Sequence, residues 1–459
     1  MYSSSGRRIR VQSPCPTFAK ITSRSAIVRQ QPLPVRRHVA LVRLFPVSDS
    51  SGPSNIASDT DGTGPAIGLC LSGGGFRAAL FALGVARYLA ESGQLAKVRA
   101  VSAVSGGSVA AAVLADRWPA LAAANFTTSA FEAHVSGPFL EVVTRKNLRN
   151  RGIGRWVVTR VAPKRRRLGS ALGMTMTKHL LNAQRVADLP DALQVILTST
   201  DLSSGRAFRV SQDFVGGWEF GYTDAPPTLS MSLALAASTA VPFLFPPVHL
   251  RTAGLGLKDP PPELSLVDGG VYDNLGLEWF QGWNAGRPPS ARPCDFVLAV
   301  DASGPLRMEP RHFGWARSLR RSQSAQYVQT RASRVRWFVD QLLAGQLDGL
   351  LVQIDKEPSR FRPPGSASAI ADAADGALPV GFADALADLR TDLDRFLPEE
   401  AELLMYHGYW SAHVRLRHLR PSLAVAAPRW RAYADLSAEQ AHRLLMELAD
   451  GKRRSARRR

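Results

Sequence analysis

A serine at a sharp turn between a strand and a helix is a candidate nucleophile. Ser105 follows the apolar run 98–104 and precedes Gly106 and Gly107, and such small neighbours let a turn lift a hydroxyl out of a sheet. Ala103 stands where the usual G-x-S-x-G pattern has its first glycine. A serine attacks an ester carbonyl when a base takes its proton and donors stabilise the oxyanion. The segment alone could be a plain turn, but it makes Ser105 the predicted nucleophile.

A second glycine-rich turn could stabilise that oxyanion. Gly73, Gly74 and Gly75 follow the apolar run 66–72 and precede a helical pattern over 76–91. Consecutive glycines ahead of a helix expose backbone N–H groups at the positive end of the helix dipole, which binds phosphate or an oxyanion alike. The three glycines are therefore the predicted oxyanion hole.

The same glycines formally match a dinucleotide-binding pattern. Gly73, Gly75 and Ala78 fit G-x-G-x-x-G/A, but that fingerprint needs a carboxylate at the end of the second strand to hold the ribose. The second strand runs into Ser105 without one, and no G-x-x-x-x-G-K-[ST] sequence occurs. The sequence therefore argues against a nicotinamide enzyme and against a P-loop.

An aspartate further along the chain is the candidate base. Asp268 ends the apolar run 264–267 and is followed by two glycines. The run predicts a strand that reaches the same sheet edge as Ser105. An aspartate with a pKa near its usual value of about 3.9 is a weak base, so this role requires a poorly solvated site or strong oxyanion donors. Asp273 and Asn274, which follow closely, are expected to cap the next helix.

The elements that must position these residues alternate between strands and helices. Strand patterns occupy residues 66–72, 98–104, 193–200, 207–210, 264–267, 296–300 and 350–354. Helical patterns occupy residues 76–91, 109–114, 230–238 and 323–347. Strand, helix, strand, helix in this order implies parallel strands joined by right-handed crossovers. The sequence therefore predicts an α/β fold with a mainly parallel central sheet.

Composition limits the partners and the compartment. The chain has 459 residues, a formal net charge of +19 and basic blocks within residues 1–45, 145–167 and the closing KRRSARRR. Such blocks attract anionic lipid or nucleic acid, although a solvated arginine-rich surface with disordered tails is equally consistent. Three distant cysteines without a C-x-x-C pair favour a reducing compartment such as the cytoplasm. No apolar run reaches about 18 residues, so membrane contact is expected to be peripheral.

The chain divides into three predicted regions. Residues 1–62, rich in Ser, Pro and Arg, are expected to be a disordered basic segment, with a targeting role left open. Residues 63–425 are expected to form the catalytic domain, with a basic insertion over about 117–190. Residues 426–459 are expected to be a helical extension with a basic tail.

Four motifs in order resemble those of the patatin-like phospholipase family and its cytosolic phospholipase A relatives. They are GGGFRA at 73–78, VSGGS at 104–108, AxxAVPFLFPP at 237–247 and VDGGVYDN at 267–274. The resemblance spans roughly residues 66–300, about half of the chain. Four motifs in a fixed order make it a specific one.

The resemblance implies a three-layer α/β/α fold and a Ser–Asp dyad that hydrolyses acyl esters of lipids without histidine. The helical patterns after residue 305, beyond the resemblance, predict extra C-terminal helices. In the dyad Ser105 is the nucleophile and Asp268 the general base. The oxyanion hole is formed by Gly73, Gly74 and Gly75. Arg77 matches the arginine that follows these glycines, with an electrostatic or a structural role. No metal or cofactor is implied, the substrate is a phospholipid or other lipid ester, and no nucleic-acid partner is expected.

Two alternatives remain at this point. A Ser–Asp–His hydrolase would combine Ser105 and Asp268 with a late histidine such as His312. A peripheral membrane or nucleic-acid binding protein on a catalytically weak hydrolase scaffold would account for the basic segments. Head-group preference, sn-position and oligomeric state are left open by the sequence.

Overall fold

A mixed β-sheet of ten strands forms the middle layer of the described part of the protein in a computed structural model. The described residues are 64–148, 150–151, 168–281, 288–308, 314–362, 372–391 and 393–457. The predicted basic segment 1–62 lies outside them, as does 152–167 within the predicted insertion. The strands are β1 Ile67–Leu71, β2 Val98–Val104, β3 Gln194–Asp201, β4 Ala207–Val210, β5 Phe214–Gly217, β6 Gly221–Asp224, β7 Val248–Arg251, β8 Glu263–Asp268, β9 Phe296–Asp301 and β10 Asp348–Gln353.

Helices cover the sheet. They are α1 Gly75–Glu91, α2 Gly106–Asp116, α3 Trp118–Ala123, α4 Thr128–Phe131, α5 Gly137–Arg145, α6 Leu168–Leu180, α7 Met231–Thr239, α8 Trp315–Leu343, α9 Phe382–Ala387, α10 Pro398–Leu419 and α11 Ala438–Arg457. None of these helices combines the length and the apolar character needed to cross a membrane.

The sheet has a parallel centre and an antiparallel extension. Its order is β10-β9-β1-β2-β3-β4-β5-β6, and the first five strands run parallel to one another. From β3 onward the pairs are antiparallel, and β8 pairs antiparallel with both β3 and β7. The predicted α/β class is confirmed, and the sheet is mixed because short hairpin strands extend the parallel core.

Alternating residues on the strands pack on opposite faces of the sheet, which makes three layers. Leu69 and Val101 belong to a large apolar cluster with α1, α2 and α10. Their neighbours Cys70 and Ala100 belong to a second cluster, which includes Phe338 of α8. Successive strand residues point to opposite faces, so each cluster fills one side of the sheet. The predicted α/β/α arrangement is therefore present.

Two glycines let α1 and α10 cross at close range. A Cβ placed on Gly84 would lie 1.9 Å from the carbonyl oxygen of Met405, and one on Gly408 would lie 2.2 Å from that of Phe81. This contact fixes α1, whose first residues belong to the glycine turn at 73–75. Helix α10 thus supports α1, which begins at the glycine turn of the candidate site.

Gly408→Ala is expected to destabilise the protein by about 1–3 kcal/mol, because the added methyl group overpacks a backbone contact. Helix propensity alone would predict a gain of up to about 1 kcal/mol. Urea unfolding measures whether the free energy of unfolding falls or rises in Gly408→Ala. Gly314→Ala is the matched control, because a Cβ there meets no atom within 4 Å; equal stability of the two variants would contradict the close crossing.

Candidate active site

Ser105 and Asp268 meet because two strands end at neighbouring positions along one edge of β3. The last pair between β2 and β3 is Val104 with Thr198, in parallel register. The last pair between β8 and β3 is Asp268 with Ser199, in antiparallel register. Because β4 occupies the opposite edge of β3, the C-terminal ends of β2 and β8 point at each other. The structure places Asp268 at the expected sheet edge, on a strand that arrives from the opposite direction.

The turn after β2 holds Ser105 in a strained backbone conformation. Ser105 has φ 52° and ψ −118° and is only 6% exposed. Non-glycine residues rarely adopt a positive φ, and such conformations persist where the surroundings enforce them. A Cβ on Gly106 would lie 2.0 Å from the carbonyl oxygen of Gly75, and one on Gly107 would lie 2.3 Å from that of Leu71. The turn therefore requires glycine at both positions after the serine, whereas Ala103 fits within β2.

Ser238, at the end of α7, ties this turn to β3. Its hydroxyl oxygen accepts a hydrogen bond from the Ser105 N–H at 3.1 Å and donates to the carbonyl oxygen of Thr198 at 2.7 Å. It also shares a 2.8 Å hydrogen bond with the Ser108 hydroxyl. Nothing in the sequence pattern singles out Ser238, which occupies an unspecified position of the AxxAVPFLFPP motif. Its place between two strand ends makes Ser238 a candidate positioning residue for Ser105.

Ser238→Ala is expected to lower kcat for ester hydrolysis by about ten- to a hundredfold, because a shift of about 1 Å at a reacting atom has effects of this size. KM and the midpoint of the pH profile should stay close to the wild-type values, since the base is intact. Ser232→Ala on the same helix is the control, because among the described residues its hydroxyl bonds only that of Ser230. An unchanged kcat in Ser238→Ala would contradict the positioning role.

The glycine turn before α1 faces Ser105 and offers two backbone donors. The N–H of Gly73, a predicted oxyanion donor, donates to the carbonyl oxygen of Asn274 at 2.9 Å in this structure. Gly74 (φ 139°) and Gly75 (φ 59°) lie at the N-terminus of α1, where the first N–H groups have no partner within the helix. These two N–H groups are therefore the candidate donors of the oxyanion hole.

Gly73 has a steric role instead. A Cβ on Gly73 would lie 2.4 Å from Asn274 Oδ1 and 3.3 Å from Ser105 Cβ. Asn274 lines the cavity and donates from Nδ2 to the Ser303 hydroxyl at 2.9 Å, so it does not cap a helix as expected. Asp273 does cap the next turn, accepting from the N–H groups of Leu275 and Glu278 at 3.0 and 2.8 Å.

Asp268 has the properties of a base that is poorly solvated. It is 2% exposed, its Oδ1 accepts from the N–H of Gly270 at 2.8 Å, and its buried Oδ2 has no hydrogen-bond partner among the described residues. Burial raises the pKa of Asp268 to about 6, against the opposing effects of the Ser105 hydroxyl and the Gly270 N–H. The Ser105 hydroxyl is thus near enough to act on the carboxyl without completing a hydrogen bond to Oδ2.

A cavity of about 270 Å³ brings these groups together. Its lining includes the three glycines Gly73, Gly74 and Gly75, together with Ser105 and Asp268. No histidine is part of the lining that the described residues provide. The buried His407 and His413 bind the carbonyl oxygen of Ile354 and the hydroxyl of Tyr88 instead. His312, the histidine of the triad alternative, lies outside the described residues.

Arg77 is held by the backbone of distant segments. Its Nη1 donates to the carbonyl oxygens of Ala387 and Leu389, the latter at 2.9 Å, and its Nη2 donates to that of Ala302 at 3.0 Å. Arg77 is 4% exposed, and burial lowers its pKa to about 10. Three carbonyl contacts favour the structural interpretation, in which Arg77 anchors the start of α1. No group of three or more His, Cys, Asp or Glu side chains in the described ranges is arranged to hold a metal ion.

Several solved structures are similar to this chain at low sequence identity. Human GIVD cytosolic phospholipase A2 is 14% identical, with 78% of this chain and 62% of that chain covered and a TM-score of 0.47. VipD from Legionella pneumophila is 14% identical, with 84% and 76% covered and a TM-score of 0.28. The type III effector protein ExoU is 14% identical, with 78% and 54% covered and a TM-score of 0.27. The chain thus spans less than two thirds of the length of the phospholipase A2 structure.

Sequence comparison provides the family. No curated protein matches the chain. Residues 69–279, in contrast, match the patatin-like phospholipase family. This range begins in β1, includes the glycine turn and Ser105, and ends eleven residues beyond Asp268. This match assigns residues 69–279 of the chain to the patatin-like phospholipase family.

Proposed function

We propose that the protein is a lipid acyl hydrolase that cleaves carboxylic esters of phospholipids or lysophospholipids through an acyl-Ser105 intermediate. The observation that carries the proposal is the meeting of a strained Ser105 with the unpartnered Oδ2 of Asp268 in one cavity. Buried polar atoms are almost always hydrogen-bonded, and exceptions are expected where chemistry occurs. Membership of residues 69–279 in the family supports lipid ester hydrolysis.

The first half of the cycle forms the acyl-enzyme. Asp268 takes the proton of the Ser105 hydroxyl as Oγ attacks the ester carbonyl carbon, and the carbonyl oxygen becomes an oxyanion. The N–H groups of Gly74 and Gly75 donate to that oxyanion. The tetrahedral intermediate then collapses, the ester C–O bond breaks, and the departing alkoxide takes the proton from Asp268. The leaving group, a lysolipid or a glycerophospho-alcohol, departs as a neutral alcohol.

The second half releases the fatty acid. Asp268, again a carboxylate, takes a proton from water as the water oxygen adds to the acyl-serine carbonyl carbon. Collapse of the second tetrahedral intermediate breaks the bond to Ser105, whose oxygen recovers the proton from Asp268. The same two glycine N–H groups serve both oxyanions. Burial matters here, because a base with a pKa of about 6 accepts a proton more readily than an ordinary aspartate at neutral pH.

A product analysis tests the substrate class. The full chain is incubated with phosphatidylcholine vesicles, lysophosphatidylcholine, triacylglycerol and a soluble p-nitrophenyl ester, and the products are identified by mass spectrometry. Free fatty acid with lysolipid or glycerophosphocholine is expected from the phospholipids. Release of phosphocholine or choline would contradict an acyl hydrolase. Salt-sensitive binding to anionic vesicles with no ester cleaved would instead favour a binding protein on a hydrolase scaffold.

A further inference from the structure

We propose that the protein docks the mouth of its cavity onto an anionic lipid bilayer through one defined surface. The inference rests on the proposed lipid substrate and names the partner of that same site. The rim surface consists of Phe243, Leu244, Met308, Trp315, Arg317 and Arg320. It is independent of the basic segments 1–45 and 145–167, which fall largely outside the described residues.

The first part of the rim surface is a strained apolar turn. Val241 lines the cavity, and its carbonyl oxygen accepts from the N–H groups of Leu244 and Phe245 at 3.1 and 3.0 Å. Phe243 has φ 67°, a conformation that is an outlier for a bulky residue. Phe243 and Leu244 are 67% and 59% exposed. The chain therefore maintains a costly backbone conformation that leaves two large apolar side chains in water beside the cavity.

The second part is the N-terminal half of α8. Cavity-lining residues of this helix follow the spacing of a single helical face: Ser324, Tyr327, Val328 and Arg331. The same spacing continued toward the N-terminus reaches Arg320 and Arg317, which are exposed. Arg317 is about 10 Å from Ser324 along the helix axis at the usual rise per residue. The helix face that lines the cavity thus continues toward the N-terminus of α8 with two exposed, positively charged side chains.

Arg317 and Arg320 have no acidic partner in the part of the chain that the structure describes. Arg307, by contrast, pairs with Asp384 and Asp388. Unpaired cations beside a cavity for lipid esters complement anionic head groups, which attract arginine electrostatically.

Two further apolar residues complete the rim surface. Trp315, the first residue of α8, is 81% exposed, and Met308 is 91% exposed. Met308 lies two residues after Leu306, which lines the cavity. Tryptophan is enriched at membrane interfaces because its ring is both apolar and polar. Single exposed apolar residues are ordinary, but here three separate segments that line one cavity each continue into exposed apolar side chains, which is the pattern of an interfacial surface.

The burial of Ser105 explains why docking would matter. Ser105 is 6% exposed and forms part of the cavity lining. An ester carbonyl near the head-group level of a bilayer can enter that cavity only if the mouth lies against the membrane. A water-soluble short-chain ester has no such requirement, so the two substrates should respond differently to changes in the rim surface.

Binding is measured with the full chain carrying Ser105→Ala, so that lipid is not consumed. Vesicles of phosphatidylcholine alone and of phosphatidylcholine with phosphatidylglycerol are sedimented with protein. Phe243→Ser with Leu244→Ser should weaken binding to the mixed vesicles at least about tenfold, through lost apolar burial. Arg317→Gln with Arg320→Gln should weaken it about thirtyfold, with little effect on phosphatidylcholine alone. Met446→Ser and Arg443→Gln, exposed residues of α11, should bind like the parent.

The same substitutions in chains that retain Ser105 separate docking from chemistry. All variants should hydrolyse p-nitrophenyl butyrate like the wild type, whereas the two rim variants should lose activity on vesicles. Vesicle binding unchanged in both rim variants, with normal hydrolysis of the soluble ester, would overturn the docking inference and leave the proposed function intact. Loss in the arginine variant alone would also contradict the proposed surface, since it would indicate a purely electrostatic contact with the vesicles that does not use the apolar turn. Weakened binding in both rim variants with no ester hydrolysed by the wild type would support docking and contradict the proposed function.

Discussion

Ser105→Ala should abolish ester hydrolysis, with a fall in kcat of at least about a thousandfold. Removing the nucleophile of a serine hydrolase lowers kcat by this factor or more. The small rate that remains comes from the oxyanion donors and from substrate binding. Fold and stability should be retained, because alanine keeps the Cβ and the Ser105 N–H bond to Ser238. Initial rates on a soluble ester and on phospholipid vesicles measure the effect.

Ser102→Ala is the control for that substitution. Ser102 lies on the same strand, is fully buried, and its hydroxyl has no hydrogen-bond partner among the described residues. It is not part of the cavity lining. Loss of one hydroxyl from β2 should therefore leave kcat near the wild-type value. Residual activity of Ser105→Ala above about a tenth of the wild type would exclude Ser105 as the nucleophile.

Asp268→Asn should remove activity and raise stability at the same time. The amide keeps the shape of the side chain and can accept the Gly270 hydrogen bond, but it cannot take a proton from Ser105. We expect kcat to fall by about a thousandfold or more, as for removal of a catalytic base. In the wild type, kcat/KM should rise with pH to a plateau, with a midpoint near the pKa of about 6.

The stability effect follows from the direction of the same pKa shift. The pKa of Asp268 is raised from 3.8 in the unfolded chain to about 6 in the folded protein, so the folded state binds the proton more tightly. The stabilising contribution is complete below pH 3.8 and is lost as the pH rises through about 6. About two pKa units correspond to about 3 kcal/mol. Asp268→Asn should therefore be more stable than the wild type at pH 8, by up to this amount, and the difference should vanish near pH 4.

Asp201→Asn is the matched control for a buried aspartate at a strand end. Asp201 is 1% exposed and accepts hydrogen bonds from the Ser203 hydroxyl and the Ser204 N–H at 2.7 and 2.9 Å. Its substitution should lower stability and spare activity, opposite in both respects to Asp268→Asn. Urea unfolding at pH 4 and pH 8 measures both variants. A less stable Asp268→Asn at pH 8 would contradict the burial of an unpartnered carboxylate.

The elements around the glycine turns could be predicted well because their signals are local. The strand 66–72, the helix 76–91 and the strand 98–104 lie within one residue of the observed bounds at either end. A glycine turn limits each of them, and their apolar residues repeat with the period of the element formed. The predicted helix 323–347 was less accurate: α8 begins at Trp315, because its first turns are arginine-rich and exposed and show no apolar face.

The parts of the site that the sequence could not provide depend on tertiary pairing. The run 264–267 predicts a strand, but nothing in it states that β8 runs antiparallel to β3 and abuts the end of β2. The role of Ser238 depends on its distance from Ser105, and that of Gly73 on the carbonyl oxygen of Asn274. Arg77 is anchored by carbonyl groups more than 200 residues away. Such contacts leave no periodic pattern in a sequence. The order of the four motifs was therefore the signal in the sequence that pointed to the site.

Covalent labelling of the nucleophile tests directly whether Ser105 is activated by Asp268. The wild type, Asp268→Asn and Ser102→Ala are incubated with an alkyl fluorophosphonate, which phosphonylates activated serine hydroxyls, and the modified peptide is identified by mass spectrometry. We expect one adduct, on Ser105, formed rapidly in the wild type and in Ser102→Ala and slowly in Asp268→Asn. An adduct on another serine, or equal labelling rates at Ser105 in the wild type and Asp268→Asn, would contradict a Ser105–Asp268 dyad.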